Sequence, residues 1–175
     1  MIVCPFCSTE NIEGADACAE CQQPLTDMSI RVPASSVEAG LLRDRIEILW
    51  PKSPSTVPPE KPVGQVLKKM VSEGIGCVMV VDNDGNLLGI FSERDALMKL
   101  NTEASRLLDK PISQFMTPKP VTLETSDRIA FALHKMNVGG YRHIPIMFSG
   151  KLAGVISIRD ILRYLTDRIA KSHGQ

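Results

Sequence analysis

The sequence lacks any apolar stretch that would cross a bilayer. Its strongest run, Val78 to Val81, is far short of the roughly 18 residues required. The start MIVCPFC has neither the basic opening nor the apolar segment of a signal peptide, so the expectation is a cytoplasmic protein without membrane contact. Positive charge is missing from the first 28 residues, which hold Glu10, Glu13, Asp16, Glu20 and Asp27 and no Lys or Arg. That segment carries −5, and because the chain balances at 20 basic against 20 acidic residues, the remainder carries +5. A hold on nucleic acid needs clustered Lys and Arg against phosphates, and the acidic start argues against one. Histidine is scarce: His134, His143 and His173 are the imidazoles available as general bases.

Length and composition bound the rest. With 175 residues, 43% apolar and 23% charged, the chain buries a sizeable core and has room for one ordinary domain plus a small module. A large multidomain enzyme is not expected.

Four of the five cysteines stand at Cys4, Cys7, Cys18 and Cys21, two C-x2-C pairs with ten residues between them. Each pair places two thiolates on one tight turn. Two such turns surround a Zn²⁺ ion tetrahedrally with no position left for water, the pattern of a structural metal. Iron fits the same four-thiolate geometry, and two disulfides are the other alternative, which a cytosolic chain disfavours. A segment whose larger apolar side chains are Ile2, Val3, Phe6, Ile12 and Leu25 cannot build a core unaided, so metal binding supplies its folding free energy. Phe6 is expected beneath the ligands. The stretch CPFCSTENIEGADACAECQQPL resembles short zinc-ribbon modules, a likeness that covers residues 2 to 25. Such ribbons meet nucleic acid or protein. With Zn²⁺ bound, the four thiolates leave −2 in an already acidic module, which favours a protein partner.

From Thr26 to Ser36 the chain reads TDMSIRVPASS, a linker by its Pro33 and small polar residues. Ser36 stands ready to cap a helix with Val37, Leu41, Leu42, Ile46 and Leu49 near helical spacing, and Pro51 stops it after Trp50.

Beyond the linker the sequence repeats itself. A shift of 66 residues aligns RIEILWPKSPST (45 to 56) with PISQFMTPKPVT (111 to 122), Met70 with Met136, Gly74 with Gly140, Cys77 with His143 and Val78 with Ile144. One residue is then lost, and a shift of 65 pairs Gly85 with Gly150, Gly89 with Gly154, Ser92 with Ser157 and Asp95 with Asp160. Residues 44–100 and 110–165 are two copies of one unit. Each has an extended lead-in near Thr56 or Thr122, a helix (about 61–73; 127–138), a hairpin turning at Asn83 to Gly85 or Ser149 to Gly150, and a second helix. The strands CVMVVD, LLGIF, HIPIM and LAGVI are nearly continuous apolar runs, as in strands buried on both faces. The fold class expected is α+β (mixed α/β): two β-α-β-β-α repeats with pseudo-twofold symmetry plus a small N-terminal zinc ribbon. The boundaries are 1–25 for the ribbon, 26–40 for the linker, 41–108 and 109–170 for the repeats.

The duplication, the MTPKPVT lead-in, the YRHIPI strand and the motifs GIFSERD (89 to 95) and GVISIRD (154 to 160) resemble the cystathionine-β-synthase-type (CBS) domain, whose tandem pair forms a Bateman module. The resemblance covers roughly residues 41 to 168. It implies binding of adenosine compounds, AMP, ADP, ATP or S-adenosylmethionine, in clefts between two sheets, and assembly as a homodimer. It implies that Asp95 and Asp160 take ribose hydroxyls and that Ser92 and Ser157 face phosphate. A serine at a strand-to-helix junction sits beside open backbone N–H groups and the positive end of the helix dipole, and an ionised Asp one turn on accepts from two hydroxyls. S-x-x-D is equally a capping box, and the two roles are compatible. Arg142 and His143 lie where some family members hold phosphate, whereas the first copy has Gly76 and Cys77. The two clefts are therefore chemically unequal, and the one receiving Arg142 and His143 should hold a polyphosphate better. Arg94 and Arg159 are further phosphate candidates, and solvated surface arginines as the alternative. Adenine would meet apolar walls and backbone near Thr56, Thr122, Val78 and Ile144.

Catalysis finds little support. Cys77 and His143 occupy the same position of two copies, no orienting acid accompanies them, and Cys77 reads as a small apolar strand residue. His134 is mid-helix, a surface or packing residue. Enzymes that carry this module, such as inosine-monophosphate dehydrogenases, add a separate catalytic domain. The function expected is therefore a regulatory sensor, not an enzyme. It would bind an adenosine ligand and contact a partner protein through its ribbon. The rivals are a nucleic-acid-associated, transcription-related regulator and a dimeric scaffold with empty clefts.

Overall fold

The computed structural model describes residues 2–4, 6–12, 15–25 and 35–173; the linker from Thr26 to residue 34 and the C-terminal pair 174–175 lie outside the described residues. The chain begins with β1 (Ile2–Val3), β2 (Glu10–Asn11) and α1 (Ser36–Arg43). The first repeat supplies β3 (Thr56–Val57), α2 (Val63–Glu73), β4 (Cys77–Val81), β5 (Leu87–Ser92), α3 (Glu93–Asp95) and α4 (Ala104–Leu107). The second supplies β6 (Thr117–Pro118), β7 (Leu123–Glu124), α5 (Ile129–Gly139), β8 (His143–Phe148), β9 (Lys151–Ser157) and α6 (Ile158–His173).

The segments gather into two compact units: residues 51–123 with 143–156, and residues 1–50 with 124–142 and 157–175. In the first unit, β4 and β5 pair antiparallel from Cys77↔Ser92 to Val81↔Leu87, and Gly85 turns the hairpin at a φ of 82°, where a side chain would be strained. β3 lies parallel to β4, with Thr56 opposite Met79. α2 follows Pro62 and ends on Gly74 at φ 62°, a C-terminal signal that also closes α5 at Gly140. Its Val63, Val66 and Met70 recur at helical spacing and pack with Val57, Val78, Val80, Phe91, Leu100, Ile112 and Phe115. Each such side chain contributes about 1.5–3 kcal/mol on burial, and Phe91→Ala in this fully buried place costs about 3–5 kcal/mol.

The extended lead-ins behave differently from the simple repeat expected. β6, at the start of the second repeat, pairs with β5 of the first, Ile90 opposite Thr117. Lys52, ahead of β3, bridges Val155 of the second repeat through N–H···O bonds of 3.1 and 3.0 Å. Each repeat thus donates backbone to the other, which satisfies edge groups that a lone repeat leaves open. The second sheet has the order β7-β8-β9; there β8 is mostly buried, whereas Lys151 and Ala153 of β9 are exposed, so this strand is less covered than its apolar run implies.

In the other unit the long helix expected from Ser36 to Trp50 is divided. Ser35, not Ser36, caps α1, accepting from the Glu38 N–H at 3.1 Å, and α1 stops at Arg43. Asp44 turns extended and its carbonyl accepts from the Ile129 N–H at 3.0 Å. Arg45 bridges Arg128, and Ile46–Leu49 continues only as a 3-10 turn. Pairing with the start of α5 outweighs helix propagation here. α6 is continuous, whereas its counterpart in the first repeat breaks after α3 into a π turn at Ala96–Leu100 and a 3-10 turn at Asn101–Glu103.

Candidate functional site

The four N-terminal cysteines converge. Their Sγ atoms all lie within 4.8 Å of one another, with Cys4 to Cys21 at 3.6 Å and Cys7 to Cys18 at 3.3 Å. A tetrahedral site with metal–sulfur bonds of about 2.3 Å has sulfur–sulfur edges of about 3.8 Å, so the donor set fits a four-thiolate metal ion, and none of these thiols is bonded to another. Both knuckles are built alike. Ser8 at φ 61° and Gln22 at φ 59° follow the two pairs, and their N–H groups close back on the Cys4 and Cys18 carbonyls at 2.8 and 3.0 Å. The Cys21 N–H beside Cys18 holds that thiol down to about 6, whereas burial pushes Cys21 up to about 12 and Cys4 upward. Asn11, which the sequence reading passed over, is buried and joins the knuckles: it donates to the Thr9 carbonyl at 2.8 Å and accepts from the Ala19 N–H at 2.9 Å. Phe6 packs against the buried Cys4, Cys18 and Leu25, as expected. Its ring is 6.2 Å from that of His134, to whose Nδ1 the Gln23 amide donates at 3.1 Å. His134 is therefore a packing residue that seats the ribbon on α5.

In both Ser-x-x-Asp motifs the serine donates twice to the aspartate. The Ser92 N–H and hydroxyl donate to Asp95 Oδ2 at 2.9 and 2.6 Å, and the Ser157 pair reaches Asp160 Oδ2 at 2.8 and 2.6 Å. Ser92 also accepts from the Asp95 N–H at 3.3 Å, completing a capping box. Asp95 further accepts at Oδ1 from the Thr117 hydroxyl at 2.9 Å and faces the Lys99 ammonium at 2.7 Å. Burial alone would raise this carboxyl, but the Lys99, Ser92 and Thr117 donors outweigh it and hold it below the usual carboxylate range. Asp160 is 7% exposed, with Arg163 at 4.0 Å from its Oδ1.

The remaining candidates are spread more widely. His143 stands over Gly76: a Cβ added there would meet its ring at 2.8 Å, with a Glu93 oxygen at 3.5 Å. The missing side chain in the first copy is thus what admits the imidazole of the second. Arg94, Arg142 and Arg159 are exposed, as are Thr56 and Thr122. Val78 and Ile144 have no exposed surface, so both belong to the core. Thr122 lines a pocket of about 310 Å³ with Asn86, Leu87, Lys119, Met147 and Leu152. That pocket lies at the hairpin end of the strands, five residues along β5 from Ser92, or about 16 Å. Cys77 is buried, and its thiol is pushed up to about 12 by burial and the Glu93 charge.

Among the described residues no helix is long and apolar enough to cross a membrane. Comparison with known proteins places this architecture. An uncharacterized 17.7 kDa protein of Acidianus ambivalens is 33% identical over 112 residues, 63% of this chain and 66% of its own length. The match to an Arabidopsis thaliana CBS domain-containing protein, also 33% identical, covers 21% of that protein, so the chain spans only part of its curated relatives. Among solved structures, a CBS-domain containing protein from Agrobacterium tumefaciens is 30% identical with a TM-score of 0.66, covering 69% of this chain and 98% of that one. A CBS domain protein from Pyrobaculum aerophilum, complexed with AMP, is 28% identical with a TM-score of 0.61, covering 71% and 99%. The CBS domain pattern itself matches residues 47–102 and 112–167, and by that double match this chain belongs to the CBS domain family.

Proposed function

We propose that the chain is a non-catalytic, cytoplasmic regulatory protein whose CBS pair binds an adenosine-containing ligand of the AMP, ADP or ATP class, or S-adenosylmethionine, and works as a homodimer. The observation that carries this reading is the serine–aspartate contact made twice at equivalent strand-to-helix junctions, Ser92 with Asp95 and Ser157 with Asp160. The AMP complex of the Pyrobaculum relative supports it. In this reading the two aspartates take ribose hydroxyls and the two serines, with Arg142, His143, Arg94 and Arg159, face phosphate. Adenine meets apolar walls and backbone groups near Thr56, Thr122, Val78 and Ile144. The Cys4, Cys7, Cys18 and Cys21 module holds structural Zn²⁺ and carries the contact with a protein partner, its acidity disfavouring nucleic acid. Ligand occupancy shifts the equilibrium between arrangements of the repeats by its differential affinity for them, and so changes what the ribbon presents.

The test is a thermal-shift and calorimetric screen of the metal-replete protein against AMP, ADP, ATP, NAD and S-adenosylmethionine. A ligand in the micromolar range raises the melting temperature by mass action. Silence across the panel overturns the sensor reading in favour of a dimeric scaffold.

A further inference from the structure

The first 28 residues hold no Lys or Arg, so the N-terminal module has no basic side chain of its own to offset the charge of four thiolates, and like charges held close disfavour one another. Neutral donors can offset it instead, and two side chains supply them. The Asn11 amide nitrogen donates to Cys18 Sγ at 3.6 Å. The Thr9 hydroxyl lies 3.3 Å from Cys7 Sγ, and toward an ionised sulfur that contact runs with the hydroxyl donating. Both donors fall on the Cys7–Cys18 edge, where the sulfurs are 3.3 Å apart, closer than the roughly 3.8 Å edge of a regular site with 2.3 Å bonds.

Asn11 is held for this role from three sides. Its backbone pairs with Ile2 across β1 and β2, and its residue surface is 5% exposed. Its Oδ1 accepts from the Ala19 N–H at 2.9 Å, which fixes the amide's orientation, since a flipped amide would set two donors against each other. The two hydrogens of Nδ2 then go to the Thr9 carbonyl at 2.8 Å and to Cys18 Sγ. One amide thus ties the segment after the first cysteine pair to the inside of the second pair and meets a sulfur as well.

We infer that Asn11, with the Thr9 hydroxyl beside it, is a positioning residue of the metal centre, donating to the sulfurs of the Cys7–Cys18 edge and so raising the affinity of the four cysteines for their ion. This rests on the reading of the cysteines as a metal site and names the residues outside the ligand set on which retention of the ion depends. Partners of this kind, behind the ligands themselves, are worth about 10–100-fold in metal affinity.

The experiment uses the full-length protein with Zn²⁺, titrated against a chromophoric chelator, and with Co²⁺ as a spectroscopic probe. Asn11→Ala and Asn11→Asp are expected to lose about 10–100-fold in zinc affinity. Their sulfur-to-cobalt charge-transfer band should move to lower energy, because a sulfur without its N–H partner holds its electrons less tightly, and further in Asn11→Asp, which sets a carboxylate against Cys18. Thr9→Val, which leaves the Asn11 amide contacts in place, should move the band in the same direction. If the Asn11 variants take up no cobalt, Thr9→Val decides: a shifted band upholds the inference and an unshifted one overturns it. Zinc affinity equal to that of the wild type in Asn11→Asp, or weakened binding with an unmoved band in every loaded variant, overturns the inference while the metal reading stands. A wild type that gives no tetrahedral cobalt spectrum overturns both.

Discussion

The Tyr164 hydroxyl donates to Asp44 Oδ2 at 2.7 Å, tying α6 to the turn that ends α1. Arg168 pairs with the same oxygen and lies over the Tyr164 ring, 5.1 Å from its centroid. Gly40 of α1 is what allows this approach: a Cβ there would run into the Tyr164 hydroxyl and the Arg168 guanidinium. Burial and the Asp44 bond both push the tyrosine pKa upward, so the phenol stays a donor throughout the neutral range.

Removing that donor leaves a partly buried carboxylate short of a partner. Tyr164→Phe is expected to lower stability by about 1–2 kcal/mol, and Gly40→Ala by about 1–3 kcal/mol through overpacking. In urea unfolding the two changes together should cost less than their sum, because both act on one contact. Strict additivity would show that Gly40 meets its constraint elsewhere.

Metal removal should dismantle the N-terminal module and spare the rest. Chelation or Cys18→Ala is expected to release one equivalent of zinc per chain and to erase dispersed amide signals for residues 2–25, because that segment's buried cluster is largely cysteine and Leu25. The CBS pair should keep its own thermal transition. An N-terminal segment that stays folded after complete metal loss contradicts this.

Asp95 gives a signed dependence on pH. Its folded pKa lies below the ordinary value of about 3.9, so its stabilisation is fully present above that value and is lost as the pH falls through the lowered one. Wild type and Asp95→Asn should therefore differ in urea midpoint at pH 7 and draw together as the medium is taken below the carboxylate range. A gap that widens in acid would have the wrong sign.

Cys77, buried and with its thiol pushed up to about 12, should resist iodoacetamide at pH 8 in the folded protein and react on unfolding, because the thiolate is the nucleophile. Mass spectrometry of the modified peptides reads this directly. Rapid labelling of Cys77 in the native state would mean that β4 opens locally.

The duplication was legible because it is chemical as well as periodic: α2 and α5 start and stop 66 residues apart on the same glycine signal, and both serine–aspartate contacts form as spacing suggested. The convergence of the four cysteines was legible for the same reason, since two thiols on a tight turn need only local geometry. The division of the expected 36–50 helix was not, because the residues that end α1 are met by Asp127 and Ile129, more than 80 positions away. Nor was Asn11, a polar residue whose role depends on being buried between two knuckles.

By itself the sequence determined the repeat, the helices α2 and α5 within it, the hairpins and the four-cysteine set, all of which follow from periodicity, capping and turn chemistry over short distances. Tertiary structure decided how the repeats exchange backbone through β6 and Lys52 and that Val78 and Ile144 are core. It also decided that Asp95 is already held by Lys99 and Thr117. Hydrogen bonds and ion pairs between segments distant in the chain leave no period to read, and whether a carboxylate is available or taken depends on which donors folding brings to it.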